Sequence, residues 1–270
     1  MTKPRARRPN RSREVLVSVP TGRVGRGGRG TARWGRHRLA ADSVEALRTT
    51  GTFGVVDGAD LARSFRSKRR ARTAIAELRD TGLLRVERFH ASRRRVEAVT
   101  LTRAGKRLME RHVDPREPGD EHARTYRAGP ARRAQALHDT AVYRAVRREA
   151  EAIEARGGRV LGIRTEADLQ RLAWRRIDRA VRAGKCRQDA KAAAAAELGL
   201  GLHAGKLAFP DARVEYGEEA GAGGADRCLH RDVEVVTRDY REPALRAKQA
   251  AGFRMHTMQP DGSLRAGGER

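Results

Sequence analysis

The 270-residue chain predicts an α+β protein of two domains, on three observations. Residues 41–112 read as three short helices, a two-stranded hairpin and a closing helix. Residues 131–258 read as α-β-α-α-β-β-α-β, the order of a small mixed sheet with helices packed on it. Between them lies "VDPREPGDEHARTYRAGP", residues 113–130, with three of the chain's nine prolines. That stretch reads as a linker or a long ordered loop.

The elements follow from local pattern. "GRVGRGGRG" marks residues 1–40 as a basic disordered tail, because Gly/Arg low complexity buries no core; "EVLVSVP" within it is a weak strand signal. "SVEALRTTG" is a helix with Val44 and Leu47 inward. "VDGADLARSF" is a second, capped by Asp57, with Leu61 and Phe65 one turn apart. "SKRRARTAIAELRDTG" is a third, capped by Ser67 and stopped by Gly82. "LLRVERF", the basic turn "HASRRR" and "VEAVTLT" form the hairpin, and "TRAGKRLMERH" closes the domain. This order is that of a winged helix-turn-helix. Beyond the linker, a long helix carries Val142, Val146, Ala150 and Ile153 on one stripe and ends at Gly157-Gly158. "RVLGIR" is a strand. The next helix is capped by Thr165, with Leu169, Leu172, Ala173, Ile177 and Val181 inward, and an Ala-rich helix follows. "KLAFPDARVEY" and "RDVEVVT" are hairpin strands, "REPALRAKQAAG" a helix and "FRMHTM" a terminal strand. Residues 259–270 are expected to be a disordered tail.

Charge narrows the function. The net charge is +25, which favours a polyanionic partner, most simply nucleic acid. Residues 1–40 carry 12 Lys or Arg against one acid, residues 43–112 carry 17 against 8, and residues 201–256 carry 9 against 9. The surplus is therefore gathered toward the N-terminal end, which marks a binding end and a differently employed C-terminal end. No run of about 18 apolar residues exists, so no membrane helix is expected. No apolar stretch follows the basic N-terminus, so no secretory signal is expected. Cys186 and Cys228 read as free thiols of a cytoplasmic protein. The eight histidines show no metal-binding spacing.

On the third helix, 100° per residue puts Ala71, Ala74, Ile75 and Leu78 on the inner face and Arg69, Arg72, Thr73 and Ala76 on the outer one. Arginines around small residues let a helix enter the major groove and grip guanine. Double-stranded DNA is the expected partner, bound by Arg69, Arg72 and Thr73, with Lys68, Arg70 and the wing residues Arg93, Arg94 and Arg95 on phosphates. A solvated surface helix is the bland alternative.

The C-terminal domain poses a different chemistry. Asp211 is followed across a hairpin by Glu234, and adjacent strands lie about 4.8 Å apart. Paired in register, the two carboxylates can share one Mg²⁺ for phosphodiester cleavage, assisted by a lysine. The bland readings make Asp211 a turn residue after Pro210 and Glu234 an ion-pair partner of Arg213 or Arg238. They put His138-Asp139 on a solvated helix face and make Trp34 and Trp174 packing residues.

"LHDTAVYRAVRREA" (137–150), "FPDARVEY" (209–216) and "HRDVEVVTRDYREPALRAKQAAGF" (230–253) resemble the replication-relaxation family of plasmid and integrative-element proteins. The resemblance spans roughly residues 43–257. It implies a winged helix joined to a small α/β domain like the PD-(D/E)xK restriction endonucleases, and a role in replication or maintenance of a mobile element. The family pattern maps onto Asp211 and Glu234 and then calls for lysine at 236, where this chain has Val236. Lys248 on the following helix is the candidate substitute, and Glu149 or Glu151 the candidate further ligand. The expectation is therefore a DNA-binding protein whose nuclease-like domain is degenerate and uses no cofactor. Two alternatives stay open: an active Mg²⁺-dependent nickase built on Asp211, Glu234 and Lys248, and a winged-helix transcriptional regulator. A homodimer and the replication or transfer proteins of a mobile element are the open protein partners.

Overall fold

The computed structural model describes residues 15–20, 34–65, 67–91, 94–115, 124–203, 205–218, 227–238, 240, 242–259 and 262–266. It is a mixed α+β structure in two units. The first gathers Met1–Glu87, Glu97–Pro118 and Tyr126–Pro130, and the second Arg88–Val96, Gly119–Thr125 and Ala131–Arg270.

In the first unit, strands β1 (Val15–Pro20) and β2 (Trp34–Leu39) pair antiparallel. Helices α1 (Ala41–Phe53), α2 (Gly58–Ala62) and α3 (Lys68–Asp80) follow, with the two-residue β3 (Val56–Asp57) between the first two. β4 (Leu84–Ala91) and β5 (Arg94–Leu101), whose residues 88–91 and 94–96 group with the second unit, join β3 in a three-stranded sheet of order β3-β5-β4. α4 (Arg103–Leu108) runs on into a π-helical turn, Met109–Val113. The caps are those expected: Asp57 accepts from the Ala59 amide, Ser67 from Arg70, and Gly82 at φ 71° ends α3. Val44, Leu47, Leu61, Phe65, Ala71 and Leu78 are buried as expected.

Two expectations fail at boundaries, and the linker-or-loop alternative is decided. Residues 15–20 and 34–39 form a hairpin inside the expected disordered tail 1–40; "EVLVSVP" has enough β-branched character to pair once a partner strand is near. The second half of residues 113–130, read as a linker or a long ordered loop, is packed as an ordered loop. Tyr126 is buried and its hydroxyl donates to Asp114, which Arg48 grips from α1 at 3.1 and 3.2 Å. A Cβ at Gly51 would lie 2.5 Å from the Tyr126 ring, so α1 needs glycine there. In the expected tail 259–270, β12 (Leu264–Ala266) pairs with a neighbouring strand, held by Arg144 and Arg148 bonding to the Gly262 and Leu264 carbonyls, both at 2.8 Å.

The second unit starts with α5 (Arg133–Glu154), then β6 (Arg159–Thr165), α6 (Glu166–Arg182) and α7 (Arg187–Leu198). A small hairpin, β7 (Gly201–His203) and β8 (Lys206–Ala208), precedes β9 (Ala212–Glu218) and β10 (Arg227–Val236). α8 (Glu242–Ala250) crosses to β11 (Arg254–Met258). The sheet runs β12-β11-β10-β9-β6; β9 is antiparallel to both of its neighbours, β6 and β10, and β11 lies parallel to β10. The stretch read as one strand, residues 206–216, is two. Pro210 cannot donate to a ladder, so pairing stops at Ala208 and restarts at Ala212. Leu169, Leu172, Ala173 and Ile177 of α6 are buried, but Val181 is 37% exposed. The buried stripe continues through the half-buried Ala180 instead, the i+3 position after Ile177.

Candidate functional site

The ends of β9 and β10 carry the acids. The last register pair is Ala212 with Val233, so Asp211 and Glu234 come next on adjacent strands. Each carboxylate accepts from a backbone amide of the other strand. The Asp211 amide donates to Glu234 Oε2 at 3.3 Å, and the Val235 amide donates to Asp211 Oδ2 at 2.8 Å. Period-two alternation puts Glu234 on the face of Asp232, opposite the buried Val233 and Val235.

Lys248, on α8, donates its ammonium to Glu234 Oε1, and so does the Tyr240 hydroxyl. The lysine also stands 5.6 Å from the Tyr240 ring centre and 5.9 Å from that of Phe253. Thus a cation missing at 236 arrives from the crossover helix. His138, on α5, brings Nε2 to 3.4 Å from Asp211 Oδ2. Glu166, the first residue of α6, donates its amide to the Asp211 carbonyl at 3.0 Å, and its carboxylate accepts from Gln170 at 2.9 Å.

The electrostatics record crowding of negative charge. Glu234 is 1% exposed; burial first, then the neighbouring Asp211, pushes its carboxyl above the usual range despite Lys248. Burial and Asp211 also raise Glu166. The hydrogen bond to Asp211 raises His138, against the opposing effect of burial. Tyr240 is pushed up by burial and by the Glu234 carboxylate, which keeps it a hydrogen-bond donor.

Other candidates lie elsewhere. Glu149 is engaged with Arg231 at 3.0 Å and His256 at 3.1 Å, and Glu151 with Arg147 at 2.8 Å; neither adjoins Asp211, since Glu149 lies about 16 Å further along α5 than His138, which does. Arg213 is not a partner of Glu234. It makes a buried two-pronged pair with Asp232 at 2.6 and 2.8 Å. His138 is not on a solvated face. Sequence reasoning passes over His138, Glu166 and Tyr240 as site residues. Only the position of Glu166, just after a helix cap and strand end, hints that it meets a sheet edge.

Whether the site suits a divalent ion turns on the donors. Mg²⁺ favours hard oxygens and is commonly held by one or two carboxylates with waters and substrate phosphate completing its shell. Asp211 and Glu234 supply such a pair, and the raised Glu234 carboxyl is what an added cation would relieve. Among the described residues no group of three or more His, Cys, Asp or Glu is arranged to hold a metal.

On the first unit, Lys68, Arg69, Arg72 and Thr73 are exposed on the outer face of α3, while Ala76 is half-buried. Arg70 is exposed too, but its guanidinium lies 3.2 Å from Asp42 at the start of α1, so it is drawn toward that helix. Arg95 is exposed and, with Arg94, lies within β5 instead of the turn. Arg93 and the Arg94 side chain lie outside the described residues. No helix among the described residues is long and apolar enough to cross a membrane. Compared with protein-family models, curated proteins and solved structures, the chain matches none.

Proposed function

We propose that the protein binds double-stranded DNA through a winged helix in its first unit and cleaves phosphodiester bonds in its second, at Asp211, Glu234 and Lys248. The observation that carries the cleavage half is the Lys248 ammonium on Glu234 beside Asp211. The departure at Val236 argues for a degenerate domain, and it loses its force when another element supplies the lysine. The strand order, three antiparallel strands and a helical crossover to a parallel fourth, supports the restriction-endonuclease-like reading. On the family resemblance, the DNA is that of a plasmid or integrative element.

Asp211 and Glu234 would hold Mg²⁺, which when bound supplies an activated water and neutralises charge at the phosphate. Tyr240 fixes one Glu234 oxygen, and the two backbone amide bonds fix the remaining carboxylate geometry, so the pair is preorganised. Lys248 is partly exposed and can turn from Glu234 to a phosphate oxygen, where charge develops. For the first unit, the exposed Lys68, Arg69, Arg72 and Thr73 on one helix face support groove binding.

The test is relaxation of supercoiled plasmid in Mg²⁺. Wild type should nick, and Asp211→Ala, Glu234→Gln and Lys248→Ala should each abolish nicking while a gel shift shows DNA still bound. The double variant Lys248→Ala/Val236→Lys should recover cleavage above the Lys248→Ala level, because position 236 shares the face of Glu234. A wild type that binds DNA but never nicks it overturns the cleavage half. Binding unchanged by Arg69→Ala/Arg72→Ala overturns the winged-helix half.

A further inference from the structure

Trp174 reads from the sequence as a packing residue, yet it is 38% exposed on α6. Its neighbourhood is basic. Residues 172–187 hold five Arg and one Lys against one acid, Asp178. Arg176 is spent on Glu197 at 2.9 Å. Arg175, Arg182, Lys185 and Arg187 are exposed and have no carboxylate partner among the described residues. At 3.6 residues per turn, Trp174, Arg175, Val181 and Arg182 share one side of the helix with Asp178. The buried Leu169, Ala173 and Ile177 occupy the other. The indole is therefore surplus to the core and stands among cations.

α6 also begins at the acid site. Glu166 donates its amide to the Asp211 carbonyl, and Gln170, one turn on, donates to the Glu166 carboxylate. Trp174 is the next residue of that i, i+4, i+8 row, about 12 Å along the helix from Glu166.

We propose that this face of α6 is a binding surface for single-stranded nucleic acid. An unpaired base stacks on Trp174, and Arg175 and Arg182 hold the flanking phosphates. A lone exposed indole among arginines suits a strand whose bases are unstacked, since every base offers a π-face. A protein partner is disfavoured, because among the described residues the large exposed apolar side chains besides Trp174 are only Leu161, Val181 and Leu202, too few for an interface core. A duplex keeps its bases from the indole. That the strand continues to Asp211 and Glu234 rests on the cleavage proposed above; the binding itself does not.

The experiment is fluorescence anisotropy of a labelled oligonucleotide, single-stranded and then duplex, with the full chain in EDTA so that no cleavage intervenes. Trp174→Ala should weaken single-strand binding about ten-fold and leave duplex affinity within about two-fold, while Trp174→Phe keeps most of the single-strand affinity by preserving the stack. Arg175→Ala/Arg182→Ala should reduce the slope of log affinity against log salt by about 1.4 on the single strand. Single-strand affinity indifferent to Trp174→Ala overturns the proposal, as does equal weakening on single strand and duplex. So does a dependence on Trp174 seen with phosphatidylglycerol vesicles and not with the oligonucleotide. Absence of nicking with Trp174-dependent binding intact would remove the cleavage reading and leave this one standing.

Discussion

Glu234 and Glu149 are two glutamates of the second unit, each bonded to a cation, in opposite electrostatic states. Glu149 sits between His256 and Arg231, which hold its carboxyl down at about 2. Glu234 has Lys248 and a tyrosine, yet burial and the adjacent Asp211 hold its carboxyl up. The pleat separates them: Arg231 and Glu234 are three apart on β10, so they face opposite sides of the sheet. One side has balanced its charge and needs nothing more. The other keeps two carboxylates together with too little positive charge. A cation is a structural requirement of neither, but only the second has something to gain from one.

That contrast breaks most sharply under amide substitution. Glu234→Gln should lower Mg²⁺-dependent nicking at least about 100-fold while the urea midpoint stays level or rises, since a strained ionised group is removed. Glu149→Gln should do the reverse. It leaves Arg231 short of its counter-charge and His256 short of its hydrogen-bond partner, costing about 2 to 3 kcal/mol of stability, with nicking retained. Equal behaviour of the two variants in both assays would dissolve the distinction. The same glutamate shapes the acid limb of stability. A carboxyl lowered from 4.5 to about 2 on folding contributes stability that is fully present above about pH 4.5 and lost as pH falls toward 2. Urea midpoints measured across that window should fall for wild type and fall less for Glu149→Gln.

The contrast is only half legible in the sequence. Period-two alternation identifies Glu234, a hairpin argument finds Asp211, and the family resemblance, lacking its lysine at 236, turns attention to Lys248 on the following helix. The first two are local patterns. His138, Glu166 and Tyr240 come from three other stretches of chain. What brings them to Asp211 and Glu234 is the sheet order and the place where Pro210 ends pairing, which no local period encodes. The same limit explains why Glu149 looks like a ligand. Its helix is plain from the periodicity, but which turn of that helix comes level with Asp211 is not. In the first unit the helices and caps are legible because each is set within a few residues. Tyr126 is not, since its partners Gly51 and Asp114 lie outside any local window.

A third kind of charge, with no partner, extends the comparison. Arg69 and Arg72 stand exposed on α3 with no carboxylate partner among the described residues, so their removal should cost nothing in stability. If they meet DNA, Arg69→Ala/Arg72→Ala should weaken duplex binding by about 1 to 3 kcal/mol for each arginine that grips a base. The effect should appear as reduced preference between sequences in competition gel shifts. Weakening that is uniform across sequences, with the salt slope reduced by about 1.8, would instead assign both arginines to phosphates.

Glu151 gives the smallest and cleanest control. It lies two residues from Glu149 on the same helix, is also paired with an arginine, at 2.8 Å, and is 61% exposed. Two residues on a helix are about 200° apart, so one glutamate meets the sheet and the other meets water. An exposed i, i+4 pair contributes about 0.3 to 0.5 kcal/mol, and Glu151→Gln should move the urea midpoint by no more than that, with the effect vanishing in molar salt. If Glu151→Gln matched Glu149→Gln, the cost at Glu149 would be a property of the helix and its charge pattern. The buried meeting with Arg231 and His256 would then no longer explain it.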